Sequence, residues 1–419
     1  MPALNTFAGS TLDRAAERRT DEGWLAARRV DPRSRAVAAG AEGVLVEEDA
    51  AAVRPAELPV AELDAEAVLL LLGVDDRGAV FGVDADAVGP ERLAELAPGA
   101  RVRNLRDVAS RLSQRDGGLL AHAAALLHWH RSHPRCSRCG APTGMAEAGY
   151  SRACPVCGTV HHPRTDPVVI MLVVDGDRAL LGRQARWPPR RWSAFAGFVE
   201  PGESLEEAVA REVEEEADVR VDAIAYRSSQ PWPFPASLML GFTARYAGGE
   251  ARARDGELEG VRWFSRGELE AMREGRADDF LPPPDAIARR LVDAWLDAPA
   301  RPAVTELAGR FAVARLQAGA EVPPWAAGGG AFVSVTRTAD ELSIACPQDV
   351  VPADVPAERD LVALRVEGPL DFGLTGILAS LTAPLAEAGI PVFAVATYDT
   401  DYLLVPGDRA TEAVDLLSC

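Results

Sequence analysis

The stretch GFVEPGESLEEAVAREVEEEADV, residues 197–219, constrains this chain more than any other. Ser204 followed three residues on by Glu207 is a capping box, so a helix is expected to start at Leu205. At about 100° per residue, Leu205, Ala208 and Val209 form one inward stripe, and Glu212 and Glu216 fall on it. Glu215 lies about 60° away, while Glu206, Glu207 and Glu214 point elsewhere, as on a solvated face. Carboxylates on a core-facing stripe repel each other and lose hydration unless a cation sits between them. Hard divalent ions such as Mg²⁺ or Mn²⁺ suit such oxygens. A Glu-rich segment is more often an acidic surface helix, but the face assignment argues against that for Glu212 and Glu216.

The order Gly197, Glu203, Arg211, Glu212, Val213, Glu215, Glu216, Val219 resembles the Nudix box. One position departs, because Asp218 stands where the family has glycine just past the helix end. Asp tolerates the left-handed conformation wanted there, so a small stability cost and no loss of chemistry are expected.

The chain has 419 residues, 48% of them hydrophobic, enough for two to four domains. No apolar run is long enough to span a bilayer and the N-terminus lacks a signal-peptide pattern, so a cytoplasmic protein without a membrane partner is expected. All 44 basic residues are arginine, which excludes lysine-based mechanisms. A net charge of −19 disfavours non-specific attraction to nucleic acid or anionic membrane, while leaving room for a local basic patch.

Residues 1–130 read as a first domain: 12–19 and the Trp24 region as helical, 67–76 and 79–84 as strands joined by a turn, 106–129 as one long helical stretch. CSRCG and CPVCG follow, with fourteen residues between the pairs. Four thiolates from Cys136, Cys139, Cys154 and Cys157 fill a tetrahedral Zn²⁺ site and leave no position for water, so that zinc is structural. Cys346 and Cys419 stand alone as reduced thiols. The ribbon, 131–163, is locally basic, with Arg131, Arg135, Arg138, Arg152 and the adjoining Arg164 against Glu147. His161 and His162 are expected at its surface or at a substrate edge, not as ligands.

Residues 164–298 supply strands at 167–174, 178–184, 223–229, 236–246 and 261–265 around the acidic helix. In SQPWPFPAS, 229–237, three prolines in five residues make a stiff segment presenting Trp232 and Phe234 as flat surfaces for a base or nicotinamide ring. This segment, a short way past the box, resembles the signature of NADH pyrophosphatases within the Nudix superfamily. The resemblance implies an α/β/α sandwich here and places Gln230, Pro231, Trp232, Pro233, Phe234, Pro235, Ala236 and Ser237 at the dinucleotide. It further implies Glu257 as a metal-binding acid, the Ala196 carbonyl as a metal ligand, and Ala288 and Arg106 as substrate contacts. A family lysine is impossible here, a ribbon tyrosine falls on His162, and Gly149 stands in the place of a ribbon glutamate.

A linker is expected at 298–302, and 303–419 then reads, from 360 on, as strand, helix, strand, strand, helix. That pattern resembles ACT domains, which are ferredoxin-like and bind amino acids or other small ligands. Strands at 310–316, 332–338 and 342–346 can add to its sheet, and Gly368–Gly373, opening a helix, is a candidate anion or carboxylate site. A plain dimerisation module is the alternative.

The fold class is thus α+β multidomain: an N-terminal α/β domain, a zinc ribbon, the Nudix sandwich and an ACT-like domain. The expected reaction is hydrolysis of the NAD(H) diphosphate to NMN(H) and AMP, with NAD-cap removal from RNA as a close variant. Two or three Mg²⁺ or Mn²⁺ ions would be held by Glu212, Glu216, Glu257 and the Ala196 carbonyl, with Glu215 completing the cluster or acting as base. Arg211 is expected to orient the glutamates and Glu203 to anchor the loop. The basic ribbon and RQARWPPRR, 183–191, are candidates for holding the first nucleotides of an RNA. Family likeness suggests a homodimer. From another class comes the alternative of an amino-acid sensor whose Nudix domain only binds nucleotide.

Overall fold

The computed structural model describes residues 4–50, 52–254, 256–298, 303–328 and 330–417. They divide into two compact units: residues up to 174 with 178–295, and residues from 296 on with 175–177. The linker expected at 298–302 lies, apart from Ala298, outside the described residues, as does Cys419. No helix among the described residues is long and apolar enough to cross a membrane.

The first unit opens with helix α1 (Glu22–Val30) and the strands β1 (Arg35–Ala39), β2 (Val44–Glu48), β3 (Val53–Pro55), β4 (Glu57–Pro59), β5 (Leu69–Asp75), β6 (Gly78–Asp84) and β7 (Arg101–Arg103). They form one sheet in the order β3-β2-β1-β6-β5, with β4 on β1 and β7 on β2. Central strand β1 is buried on both faces. Val37 and Ala39 pack with Leu70, Leu72 and Val80 against Leu120, Ala123 and Leu127 of helix α2 (Gln114–Ser132), while Ala36 and Ala38 face Leu58, Leu71 and Phe81.

Two expectations fail in this domain. Residues 12–19 hold only a 3-10 turn at Ala16–Arg18, because Asp13 bridges Val74 of the sheet and its carboxylate caps the Ala15 amide. The stretch 106–129 is broken as well: Ser113 accepts from the Asp116 amide and so starts α2 afresh after the short helix Leu105–Val108.

The ribbon strands β8 (Gly144–Ala146), β9 (Ser151–Ala153) and β10 (Val160–His161) form an antiparallel sheet. Histidine docks it on α2. The His130 Nδ1 accepts from Arg152, so its Nε2 donates to the Gly149 carbonyl at 2.8 Å. His122 meets the Tyr150 hydroxyl at 3.0 Å, and burial, then Arg14 and Arg19, push its pKa down to about 3.

A mixed sheet follows, from β11 (Asp166–Asp175), β12 (Arg178–Arg183), β13 (Phe195–Phe198), β14 (Val219–Trp232), β15 (Ser237–Gly249) and β16 (Gly260–Ser265), in the order β14-β15-β11-β12-β16 with β13 on β11. Helix α3 (Leu205–Ala217) packs Ala208, Val209, Val213 and Ala217 on Val169, Met171, Phe242 and Ala244 of this sheet. Its capping box is formed at both hydrogen bonds. Asp218 ends it at φ 57°, its carboxylate held by Arg252 at 2.7 Å and Arg254 at 3.1 Å. Helix α4 (Ile287–Asp297) closes the unit.

SQPW is strand, not a free stiff loop, as β14 runs on to Trp232 and pairs Pro231 with Leu238 and Trp232 with Ser237. Strand β14 lies at the sheet edge, where a proline's missing N–H breaks no ladder. Trp232 and Phe234 pack half-buried against Phe7 and the first domain's core, with ring centroids 6.1 and 5.8 Å from Phe7.

The second unit is a sheet of β17 (Val304–Glu306), β18 (Phe311–Gln317), β19 (Ser334–Arg337), β20 (Glu341–Pro347), β21 (Ala357–Val366), β22 (Phe393–Ala396) and β23 (Asp401–Pro406), ordered β19-β20-β18-β21-β23-β22 with β17 on β21. Helices α5 (Ile377–Glu387) and α6 (Ala410–Leu417) bring Leu381, Leu385, Ala413 and Leu417 onto Val362, Leu364, Leu403 and Val405. The strand, helix, strand, strand, helix reading holds. Gly368–Gly373 does not open the helix, which starts at Ile377 behind Gly376. Cys346 is buried as a free thiol.

Gln230, fully buried, ties the first unit together. Its Nε2 donates to the Thr6 and Asp285 carbonyls at 3.2 and 2.7 Å, and its Oε1 accepts from the Ile287 amide at 2.9 Å. Removing it takes the partner from the buried Ile287 amide and from two part-buried carbonyls, so Gln230→Ala is expected to lower stability by about 3 kcal/mol. A urea midpoint within error of wild type at unchanged slope would contradict this.

Candidate active site and zinc centre

The four ribbon sulfurs all lie within 4.8 Å of one another, with 3.6 Å between Cys136 and Cys157 and 3.5 Å between Cys139 and Cys154. Zn–S bonds of about 2.3 Å imply tetrahedral edges of about 3.8 Å, so the thiols fit zinc closely. Each knuckle turns at a glycine, Gly140 at φ 77° and Gly158 at φ 71°, whose amide bonds back to the Cys136 or Cys154 carbonyl. The Thr159 hydroxyl, then its amide, draws the Cys157 thiol down to about 6, which favours the thiolate a metal needs. His161 is not simply at the surface, since its Nε2 sits 3.3 Å from the Cys136 sulfur and can steady that thiolate. His162 is exposed and does not line the cavity described next.

Arg211 organises the acidic helix. Its Nε and Nη2 donate to the two Glu203 oxygens at 3.0 and 2.7 Å, and Nη2 also donates to the Phe198 carbonyl at 2.9 Å. Its Nη1 donates to Glu212 and to Glu215, each at 2.9 Å. Glu203 also accepts from the Glu200 amide at 2.7 Å, which fixes the loop ahead of the helix. Glu212 lies flat on Gly197, where a Cβ would come within 1.8–2.0 Å of its carboxylate. No other residue type fits at 197 without moving that acid.

Glu216 is only 3% exposed and lines, with Ala196, a cavity of about 220 Å³. Burial raises the Glu212 pKa against the pull of Arg211, and repulsion from Glu215 and Glu257 adds to the rise. Those interactions place Glu257 and Glu215, both exposed, at the same cluster. Among the described residues only the four thiols lie all within 4.8 Å of one another; the glutamates are more widely spread. The hard oxygens of half-buried Glu212 and buried Glu216 fit divalent cations of the Mg²⁺ class.

The cavity wall includes Gln230, Trp232 and Ala288 from the expected substrate set; Pro231, Pro233, Phe234, Pro235, Ala236 and Ser237 do not line it. Gln230 adds wall only, its polar atoms being engaged within the fold. Arg106 lies over the Phe234 ring at 4.6 Å and the Trp232 ring at 5.2 Å. The sequence reading missed Phe195, Leu258 and Ile287 in the wall, while Trp187 and Arg191, also in the wall, fall in the run named as an RNA-holding candidate. Apolar residues such as these carry no signal of their own in the sequence.

A helix that turns two of its carboxylates inward behind an arginine brace, fed by a glycine flush with one of them, defines a Nudix hydrolase. Family models agree: a NUDIX domain at 164–282, an NADH pyrophosphatase-like rudimentary NUDIX domain at 33–129, an NADH pyrophosphatase zinc ribbon domain at 131–161 and an ACT domain at 357–419. The NAD-capped RNA hydrolase NudC of Mycobacterium bovis is 39% identical over 299 residues, which are 68% of this chain and 92% of that protein. The human NAD-capped RNA hydrolase NUDT12 is 43% identical over 197 residues, 44% of this chain, and the match spans only 43% of that protein. A crystal structure from Agobacterium tumefaciens is 42% identical over 28% of this chain and 87% of its own, at a TM-score of 0.27. The chain belongs to the zinc-ribbon Nudix family of NADH pyrophosphatases and NAD-capped RNA hydrolases.

Arg211, first by its hydrogen bonds, and then the Glu200 amide lower the Glu203 pKa from 4.5 to about 2. A depressed carboxylate stabilises the fold above its unfolded pKa and loses that contribution as pH falls toward the folded one. The gap in urea midpoint between wild type and Glu203→Gln should therefore be constant above about pH 4.5 and shrink below it. A gap that stays the same from about pH 6 to 3 would contradict the assignment.

Proposed function

We propose that the chain hydrolyses the diphosphate of NAD(H), releasing NMN(H) and AMP, and removes NAD caps from RNA 5′ ends. The observation that carries this reading is the inward-facing pair of half-buried Glu212 and buried Glu216, with Glu216 and Ala196 on the wall of a cavity also lined by Trp187, Phe195 and Trp232. Aromatic walls suit a flat base or nicotinamide ring, and the acids lie where the phosphates follow. Glu212, Glu216, Glu257 and the Ala196 carbonyl would hold two or three Mg²⁺ or Mn²⁺ ions, which supply charge neutralisation at the diphosphate and acidify water.

Arg211 aims Glu212 and Glu215, and Glu203 keeps Arg211 in place. Glu215, exposed and held by Arg211 at 2.9 Å, would complete the cluster or act as base. Arg106 holds the Trp232 and Phe234 rings from the side of the first domain. The named activity of the relatives supports the capped-RNA arm. For the second unit, a regulatory or dimerising role with an amino-acid ligand rests on the ACT match.

Incubation with NADH and Mn²⁺ should give NMNH and AMP in equal amounts by chromatography. Glu216→Gln should lower kcat at least about 100-fold with the circular-dichroism spectrum unchanged. Wild-type-like turnover by that variant would overturn the assignment of the acids. Comparing NADH with NAD-capped RNA at rising salt separates the two substrates, since only the RNA arm should weaken.

A further inference from the structure

Asp218, which stands where the box pattern has glycine, carries a charge where a helix tolerates it least. It follows the last residue of α3, at the helix's negative end, beside carbonyls that repel a carboxylate. Glycine would adopt its φ of 57° without that charge. Two arginines answer it. The Arg252 Nε donates to one Asp218 oxygen at 2.7 Å and the Arg254 Nη1 to the other at 3.1 Å. The Arg252 amide also donates to the Ala217 carbonyl at 3.0 Å, and Arg254 reaches Glu214 of the same helix at 4.0 Å.

Both arginines belong to the connection between β15 and β16, residues 250–259, whose described residues form neither helix nor strand. With no ladder to fix it, the connection takes its course from its two ends. At the far end Leu258 is buried in the domain core and lines the cavity with Glu216 and Ala196. The Glu259 amide beside it donates to the Arg183 carbonyl at 2.8 Å. At the near end the tie is Asp218. Glu257 stands between the two, three residues beyond Arg254 and next to Leu258. Arg254 also lines a cleft of about 500 Å³ with Arg211, Glu214 and Glu215, so the tied arm borders the acids that Arg211 braces.

We infer that Asp218 is a positioning residue for Glu257: by holding Arg252 and Arg254 against the end of α3, it sets where the connection carries that acid and how tightly the divalent ions are bound. The inference rests on the assignment of Glu257 to the metal cluster in the reading above. Exposed ion pairs add little to stability, whereas partners that orient a metal ligand change metal affinity by about 10–100-fold. Metal affinity therefore separates a positioning role from mere neutralisation of Asp218.

The test is Mn²⁺ titration of the full chain, its ribbon loaded with zinc, followed by electron paramagnetic resonance of the free ion. Asp218→Gly suits the left-handed turn, so its circular-dichroism spectrum should match wild type while one Mn²⁺ binds about tenfold more weakly. The Arg252→Met, Arg254→Met double variant leaves the helix end as it is and should weaken the same ion by the same factor. In a Glu257→Gln background Asp218→Gly should add nothing further, because the ligand it positions is gone. In NADH hydrolysis the Mn²⁺ concentration for half-maximal rate should rise about tenfold, with kcat at saturating Mn²⁺ near wild type. Unchanged Mn²⁺ binding in either variant, or a loss that adds in full to that of Glu257→Gln, overturns the positioning role and leaves the metal cluster standing. Wild-type protein that binds no Mn²⁺ overturns both the role and the hydrolase reading.

Discussion

Turning two carboxylates of one helix toward the interior of the domain is costly, and much of the site exists to make it tolerable. Arg211 answers the charge, using its donors on Glu203, Glu212, Glu215 and the Phe198 carbonyl at once. Gly197 answers the space, since only a missing side chain lets Glu212 lie against β13. The capping box at Ser204 fixes where the helix begins, and so which residues face inward. Asp218 ends the helix in the left-handed conformation, steadied by Arg252 and Arg254, which is how the chain dispenses with glycine there.

The cavity beside the acids is walled by the Nudix domain, and the first domain braces that wall from behind. Gln230 stitches the N-terminal segment to β14 and to the start of α4, and Asn5 adds bonds to Ser228 and Ser229 at 2.9 and 2.7 Å. Phe7 then lies against Trp232 and Phe234, so Trp232 serves both as cavity wall and as packing surface for the first domain. Arg106 reaches that wall from the first domain, which gives the rudimentary domain a physical share in the site.

The parts legible in the sequence were those set by local rules. Helix 205–217 follows from its cap and its stripe, and the thiol cluster from paired CxxC units. What escaped was set by tertiary context. Strand β1 is buried on both faces, so RAVAA shows no alternation to mark it. Pro231 looked like a strand breaker and is instead accommodated on an edge. Ser113 looked like a helix interior and is a cap. Arg191 was one arginine in a basic run, and only the fold separates it from neighbours that have acidic partners.

The measurement closest to the central claim is anomalous diffraction from crystals of the full chain soaked in Mn²⁺. Peaks should appear about 2.1 Å from carboxylate oxygens of Glu212 and Glu216 and from the Ala196 carbonyl. Well-ordered density with no manganese among these groups would contradict the account.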